Sequence, residues 1–274
     1  MIKKVIQIAD PHILNSEENK PYSIMMKKFL AELYDEIKDY EREEVRIVIV
    51  GDIFESKIKA SNEARCLFHE MCNFLNAIAI VIIVAGNHDM LVNNKDRYDS
   101  LSPTFDIANV YENITYADKV LNYESGYIKD DNVIWALYSI HDNYNKPNII
   151  DLEKDENTRI IGLFHGDVVG AVTDSGRMSE KGVNFDDFEG CDCVMAGHIH
   201  KFQTIKKNGI PLVYAGSLFQ HNVGENVSGH GFVIWDIEDM TYELHEVSND
   251  YSVYKFQINS YEDIDNDIER LINL

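Results

Sequence analysis

Positive charge is scarce in this chain. Lys and Arg number 25 against 47 Asp and Glu in 274 residues, a formal net charge of −22. A field of that sign repels nucleic acid unless a local basic surface, a bound metal or a partner reverses it. Long apolar runs are missing too. No stretch approaches the ~20 residues that span a bilayer, so no membrane association is expected. Cysteine is sparse, and Cys66, Cys72, Cys191 and Cys193 form no Cys-x-x-Cys pair. They read as reduced, buried thiols rather than as a metal or redox centre. Residues 2–9 are too short for a secretory leader and run straight into Asp10, so a cytoplasmic protein is expected. There is no internal repeat and no P-loop, so any ATP-driven step has to come from another chain.

What the chain does have is a series of apolar, β-branched runs that each end in a polar cluster. Residues 80–84, Ile-Val-Ile-Ile-Val, read as a strand buried on both faces. The run breaks at Gly86 and delivers Asn87, His88 and Asp89 at its C-terminal end, where open α/β sheets place their ligands. Taken alone, Gly-Asn-His-Asp is also an ordinary polar turn. A first strand over 3–9 ends at Asp10-Pro11-His12. On extended backbone, residues two apart point the same way, which would aim Asp10 and His12 into one site. Residues 46–50 end at Gly51-Asp52, 159–164 at His165-Gly166-Asp167, and 191–196 at Gly197-His198-Ile199-His200. Extended backbone would again put His198 and His200 on one side.

Between the first three strands lie two helical patterns. One is capped by Ser23, with Met26, Phe29, Leu30, Leu33 and Ile37 at helical spacing. The other begins at Ser61, with Ala64, Leu67, Phe68, Met71 and Leu75 on its apolar face. Strand alternating with helix argues for βαβ units. Residues 149–154 read as a short helix, and 168–184 as a mobile loop over the site. Beyond residue 203 the chain alternates like antiparallel strands, with runs at 203–206, 211–214, 231–237, 242–247 and 252–258. His141 is a candidate to approach the site, whereas His221, His230 and His245 read as structural or solvated. Ser260 and Asp263 form a capping box for a last helix.

Carboxylate and imidazole without thiolate suit Mn²⁺, Fe or Zn²⁺ better than a structural zinc cage. Asp52 is the natural bridge, because a carboxylate can bind two cations. Two such ions, about 3.5–4 Å apart, would clamp a phosphoryl centre and hold a water that attacks phosphorus in line. Four positive charges against the two of Asp10 and Asp52 leave such a site net positive. His88 would stabilise the transition state or protonate the leaving oxygen, with Asp89 holding it charged and oriented.

In chain order, Asp10-x-His12, Gly51-Asp52, Gly86-Asn87-His88-Asp89, His165 and Gly197-His198-x-His200 resemble the five motifs of the calcineurin-like metallophosphoesterases. The resemblance implies an α/β fold, a two-sheet β-sandwich flanked by helices in a four-layer αββα arrangement. It would fill residues 1–259, with 260–274 as a C-terminal helix at the start of a capping region. It also implies Asp10, His12, Asp52 and His200 on a first metal, Asp52, Asn87, His165 and His198 on a second, and His88 as the catalytic histidine.

Within that superfamily, Gly51-Asp-Ile-Phe54, Gly197-His-Ile-His-Lys201, Tyr214-Ala-Gly-Ser217, Gly224-Glu225 and Gly231-Phe232 are similar to SbcD/Mre-type DNA repair nucleases. This likeness implies a Mn²⁺-dependent exo- or endonuclease of DNA repair and recombination, with Fe, Zn²⁺ or Mg²⁺ as other metals. DNA, an SbcC-type coiled-coil ATPase and a second copy of the chain would be its partners. Two departures stand out. Glu55 occupies a position where many such nucleases have histidine, and the chain stops near where the family usually adds a capping domain and an ATPase-docking segment. A small-molecule phosphodiesterase or phosphoprotein phosphatase on the same site is the alternative, although the Arg-Gly usual after Gly-Asp in the phosphatases is missing. A silent scaffold subunit is a third reading.

Overall fold

The computed structural model describes residues 1–15, 19–91, 94, 96–105, 110–254 and 264. Its elements are β1 (Lys4–Ala9), α1 (Asn19–Ile37), β2 (Val45–Val50), α2 (Asn62–Ile78), β3 (Ile80–Val84), α3 (Ser102–Phe105), β4 (Ile114–Tyr116), α4 (Ala117–Val120), β5 (Gly126–Asp130), β6 (Val133–Tyr138), β7 (Arg159–His165), β8 (Cys193–Gly197), β9 (Gln203–Lys207), β10 (Ile210–Tyr214), β11 (Gly231–Asp236) and β12 (Thr241–Glu246).

The strands form two six-stranded mixed sheets, ordered β12-β11-β1-β2-β3-β4 and β5-β6-β7-β8-β10-β9. In the first, β1 to β4 run parallel and β11 returns antiparallel beside β1. In the second, β6, β7, β8 and β10 run parallel between antiparallel edges. This is the expected calcineurin-like sandwich.

The period of two along each strand explains the layering. On β2, Val48 and Val50 face the second sheet and pack with Trp135, Leu163 and Met195. Ile47 and Ile49 face the other way, into a core closed by Phe29 and Leu33 of α1 and Leu67 and Met71 of α2. Strands buried on both faces must be apolar almost throughout, which is why β2 and β3 read as continuous runs. The outer face of the second sheet packs on Phe185 and Phe188, the first and last residues of a one-turn 3₁₀ helix. Gln7 of β1 carries a polar group into the inter-sheet core. Its amide donates to the carbonyls of Ala196 (3.1 Å) and Val213 (2.9 Å) and accepts from Trp235 Nε1 (2.9 Å).

Four sequence expectations need correction or restriction. α1 begins at Asn19, not at Ser23, because Pro21 is tolerated in a first turn where the missing N–H has no partner to lose. Residues 149–154 form a turn, and 252–254 are not strand. Residues 255–258, and all of the expected C-terminal helix over 260–274 except residue 264, lie outside the described residues. Ser61 does cap α2, accepting from the Ala64 amide at 3.1 Å. Among the described residues, no helix is long and apolar enough to cross a membrane.

Candidate metal centre

The C-terminal ends of β1, β2 and β3 in one sheet and of β7 and β8 in the other meet at a single place. Gly51 makes the meeting possible. Its φ of +76° is open to glycine, and a Cβ there would overlap the His165 ring. Val50, just before it, accepts a hydrogen bond from His165 Nδ1 at 2.7 Å, tying the second sheet to the first.

The backbone turns sharply where the candidate ligands sit. Asp10, His12, Asp52 and His198 have φ of +50°, +46°, +51° and +94°, the left-handed region that costs side-chain-bearing residues about 1–3 kcal/mol each. The expected extended backbone is therefore not found at Asp10, His12 or His198, whose left-handed φ angles re-aim the side chains. His198 and His200 line one cavity but fall into different groups of ligand atoms. His200 joins Asp10 and His12 in one cluster of ligand atoms, and His198 joins Asp52 and His165 in another.

In the first cluster, His12 Nε2 lies 3.1 Å from His200 Nε2 and 3.8 Å from Asp10 Oδ1, and His200 Nε2 lies 3.9 Å from Asp10 Oδ1. In the second, His165 Nε2 is 3.3 Å from Asp52 Oδ2. That same Asp52 oxygen lies 3.7 Å from His12 Nε2, so one carboxylate faces both clusters. Its other oxygen accepts from the His88 amide at 2.6 Å. Both Asp10 oxygens lie within reach of the His198 amide, at 3.1 and 2.9 Å. Asn87 lines a cavity of about 430 Å³ together with His198.

The residues fit divalent cations. Because Val50 takes the Nδ1 proton of His165, the neutral ring presents a bare Nε2, which is buried without a hydrogen-bond partner. Two imidazole nitrogens 3.1 Å apart, as in His12 and His200, repel unless a proton or a cation lies between them. The donor set is oxygen and imidazole nitrogen, with no thiolate, as Mn²⁺, Fe or Zn²⁺ accept.

Without cations, protons take up the charge. Burial disfavours ionised Asp52, yet His165, His12 and the His88 amide hold its carboxyl well below the usual range. Burial works against charging His165 and His200 as well. Asp52 and Asp10 nevertheless push His165 up to about 10, and Glu225 and Asp10 push His200 up to about 9.

The catalytic candidates separate. His88 packs edge-on to His12, ring centroids 4.9 Å apart, and donates Nδ1–H to the Glu55 carbonyl at 2.7 Å. Asp89, expected to orient His88, is committed elsewhere. It is fully buried and accepts from the amides of Ile53, Phe54 and Gly86, at 3.0 to 3.2 Å. Burial and the Asp52 charge push it up to about 7 despite those amides. Main-chain carbonyl 55 performs the task assigned to Asp89.

Further acidic and imidazole side chains surround the two clusters. Glu55 Oε2 lies 2.9 Å from His12 Nδ1, out of line for a hydrogen bond. Asp167 Oδ2 lies 3.5 Å from His198 Nε2. Glu225 Oε1 accepts from His200 Nδ1 at 2.9 Å. His221, expected to be structural or solvated, packs 4.4 Å from the His12 ring, and burial together with His12 and His200 pushes it down to about 3. Glu55 and Glu225 were visible inside motifs; nothing local to His221 announces its place. His141 lines a separate cavity with Arg97, Tyr98 and Tyr123. The 168–184 segment is held by bridges Val168–Val183 and Val172–Met178 and borders the site through Thr173 and Asp174.

Two mixed six-stranded sheets, with oxygen and imidazole donors gathered where they meet, make up the fold and the site. The sequence model of the calcineurin-like phosphoesterases matches residues 3–202, and the chain belongs to that family. An uncharacterized protein of Acanthamoeba polyphaga mimivirus is 33% identical over 257 residues, which cover 91% of this chain and 18% of the relative. The chain thus spans less than a fifth of that relative's length. One solved crystal structure superposes with a TM-score of 0.52 at 13% identity, over 90% of this chain and 100% of its own, a likeness of fold. A conserved uncharacterized protein of Streptococcus pneumoniae, described as a predicted phosphoesterase, is 12% identical over 92% of each chain, with a TM-score of 0.37.

Proposed function

We propose that the protein is a dinuclear metal-dependent phosphodiesterase acting on DNA, the nuclease subunit of an SbcCD-type repair or recombination complex with a coiled-coil ATPase partner. The observation that carries the dinuclear reading is Asp52 Oδ2, which faces His165 at 3.3 Å and His12 at 3.7 Å, one from each cluster. The DNA reading rests on the likeness of the Gly51–Phe54, Gly197–Lys201 and Tyr214–Ser217 stretches to the SbcD/Mre-type nucleases, and Mn²⁺ is the metal it favours.

Asp10, His12, Asp52 and His200 would hold one cation, and Asp52, Asn87, His165 and His198 the other. Bound there, the pair supplies positive charge for the phosphoryl oxygens and acidifies water. The chain's own work is orientation and proton transfer. His165 and His200 are held with Nδ1 donating, so Nε2 is the ligand atom of each. With its Nδ1–H given to the Glu55 carbonyl, His88 keeps Nε2 as the position that can pass a proton to the leaving oxygen.

One observation favours the second reading, a small phosphodiester as substrate. Among the described residues, no Lys or Arg lines either cavity beside the site, while Asp167, Asp174 and Glu225 line one of them. Beyond the cations, a DNA backbone would find no basic side chain in either cavity to neutralise its further phosphates. The test is a Mn²⁺ titration assayed in parallel on linear double-stranded DNA, single-stranded DNA and bis-p-nitrophenyl phosphate. DNA cleavage abolished by His88→Ala supports the nuclease. Turnover of the small ester alone replaces it with the second reading.

A further inference from the structure

Glu225 is a buried carboxylate whose acceptor positions are all used close to the metal centre. Its side chain is 1% exposed. Oε1 accepts from His200 Nδ1 at 2.9 Å and from the Asn222 side-chain amide. Oε2 accepts from the His221 amide at 2.8 Å and, more distantly, from Ser217 Oγ at 3.4 Å. The 217–225 loop is wrapped around this one carboxylate and holds it against His200. His165 in the other cluster has a neutral partner in the same place, the Val50 carbonyl at 2.7 Å. His12 also has a carboxylate beside its outer nitrogen, Glu55 Oε2 at 2.9 Å. The outer nitrogen of His200 thus donates to a carboxylate and that of His165 to a backbone carbonyl, while Glu55 beside His12 makes no hydrogen bond and Asp167 Oδ2 lies 3.5 Å from His198 Nε2.

A carboxylate behind an imidazole stabilises the Nδ1–H tautomer and makes the opposite nitrogen a more basic ligand than a carbonyl does. We infer that Glu225 is a positioning residue which, through His200, makes the Asp10–His12–His200 position the tighter of two unequal cation sites. The inference rests on the dimetal reading above. Its consequence is that the two cations load in order, and that Asp52 is already neutralised on one side when the second arrives.

The test is calorimetric titration of the chelator-stripped chain with MnCl₂, wild type against Glu225→Gln, which keeps the shape and removes the charge. Wild type should show two resolved steps. Glu225→Gln should weaken the tighter step by roughly 10–100-fold, the usual effect of an outer partner of a ligating histidine, and leave the weaker step within about twofold. Two steps that are equal in wild type, or that fall together or stay unchanged in Glu225→Gln, overturn the inference and leave the dimetal reading intact. A wild type that binds no Mn²⁺ overturns the dimetal reading itself.

A second measurement does not depend on the variant folding. In the Zn²⁺-loaded wild-type chain, long-range ¹⁵N–¹H spectra should show His200 and His165 both protonated on Nδ1, with the His200 proton further downfield because it is shared with a carboxylate. A His200 protonated on Nε2 overturns the inference.

Discussion

His165 donates its Nδ1 proton to the carbonyl of Val50, 2.7 Å away on the facing sheet and 115 residues earlier in the chain. That one bond fixes the tautomer of a buried imidazole, joins the two sheets and leaves Nε2 toward Asp52 at 3.3 Å. Removing either member of the Asp52–His165 pair should therefore cost cation binding. Asp52→Asn is expected to lower Mn²⁺ affinity by more than the ~10–100-fold typical of an outer partner, at both positions at once, in the calorimetric titration. Loss at one position only would show that Asp52 does not serve both.

Gly51→Ala tests the close approach. Its Cβ would overlap the His165 ring at a φ of +76°. A methyl group in that conformation costs about 1–3 kcal/mol from strain alone. Thermal melting should fall, and Mn²⁺ binding should weaken because His165 must move. An unchanged melting temperature would show that the two sheets can separate slightly at this end without cost.

Asp89→Ala separates a structural from a catalytic role. The buried carboxylate satisfies the amides of Ile53, Phe54 and Gly86, and each amide left bare costs about 1–3 kcal/mol. The variant should lose stability heavily, whereas His88→Ala should melt like wild type and lose about 10²–10⁴-fold in turnover. Denaturant melts beside activity assays distinguish the two; an Asp89→Ala protein of wild-type stability with no activity would restore the catalytic reading.

The stripped protein should respond to pH with a definite sign. His165 has a folded pKa of about 10, above the ~6.5 of an unfolded histidine. Between these values the folded chain binds more protons than the unfolded one, so stability present below pH ~6.5 is lost as pH rises toward 10. Melting of the chelator-treated chain should drop over this window. Saturating Mn²⁺ should remove the drop, because cations then do what the protons did. A flat profile for the stripped chain would show that His165 folds neutral.

Much of the fold was legible because the strands buried on both faces are nearly pure apolar runs. Residues 80–84 and 46–50 read as strands from sequence and are β3 and β2, ending in polar clusters that do converge. The local conformation was not legible. Spacing of two suggested extended backbone at Asp10–His12 and His198–His200, but Asp10, His12 and His198 have left-handed φ angles. Asp and His adopt such angles more readily than most residues, but neither residue type by itself announces them in the sequence. Glu55, Glu225 and His221 were missed as neighbours of the ligands for a related reason. Each meets His12 or His200 only after two distant segments dock, a contact that no local periodicity encodes. Asp89 misled by adjacency: next to His88 in sequence, it turns inward to the backbone.

The bond between His165 and Val50 also bears on how the chain acquires its structure. Asp10 and His12 meet His200, and Asp52 meets His165 and His198, so neither of these two clusters is held by one sheet alone. Contacts this far apart in sequence form late and slowly, since loop closure must precede them. Cations that bind only the finished arrangement stabilise it by mass action and leave the unfolded chain alone. They would act as a clasp that closes last, and the lifetime of the docked sheets would lengthen with the free cation concentration.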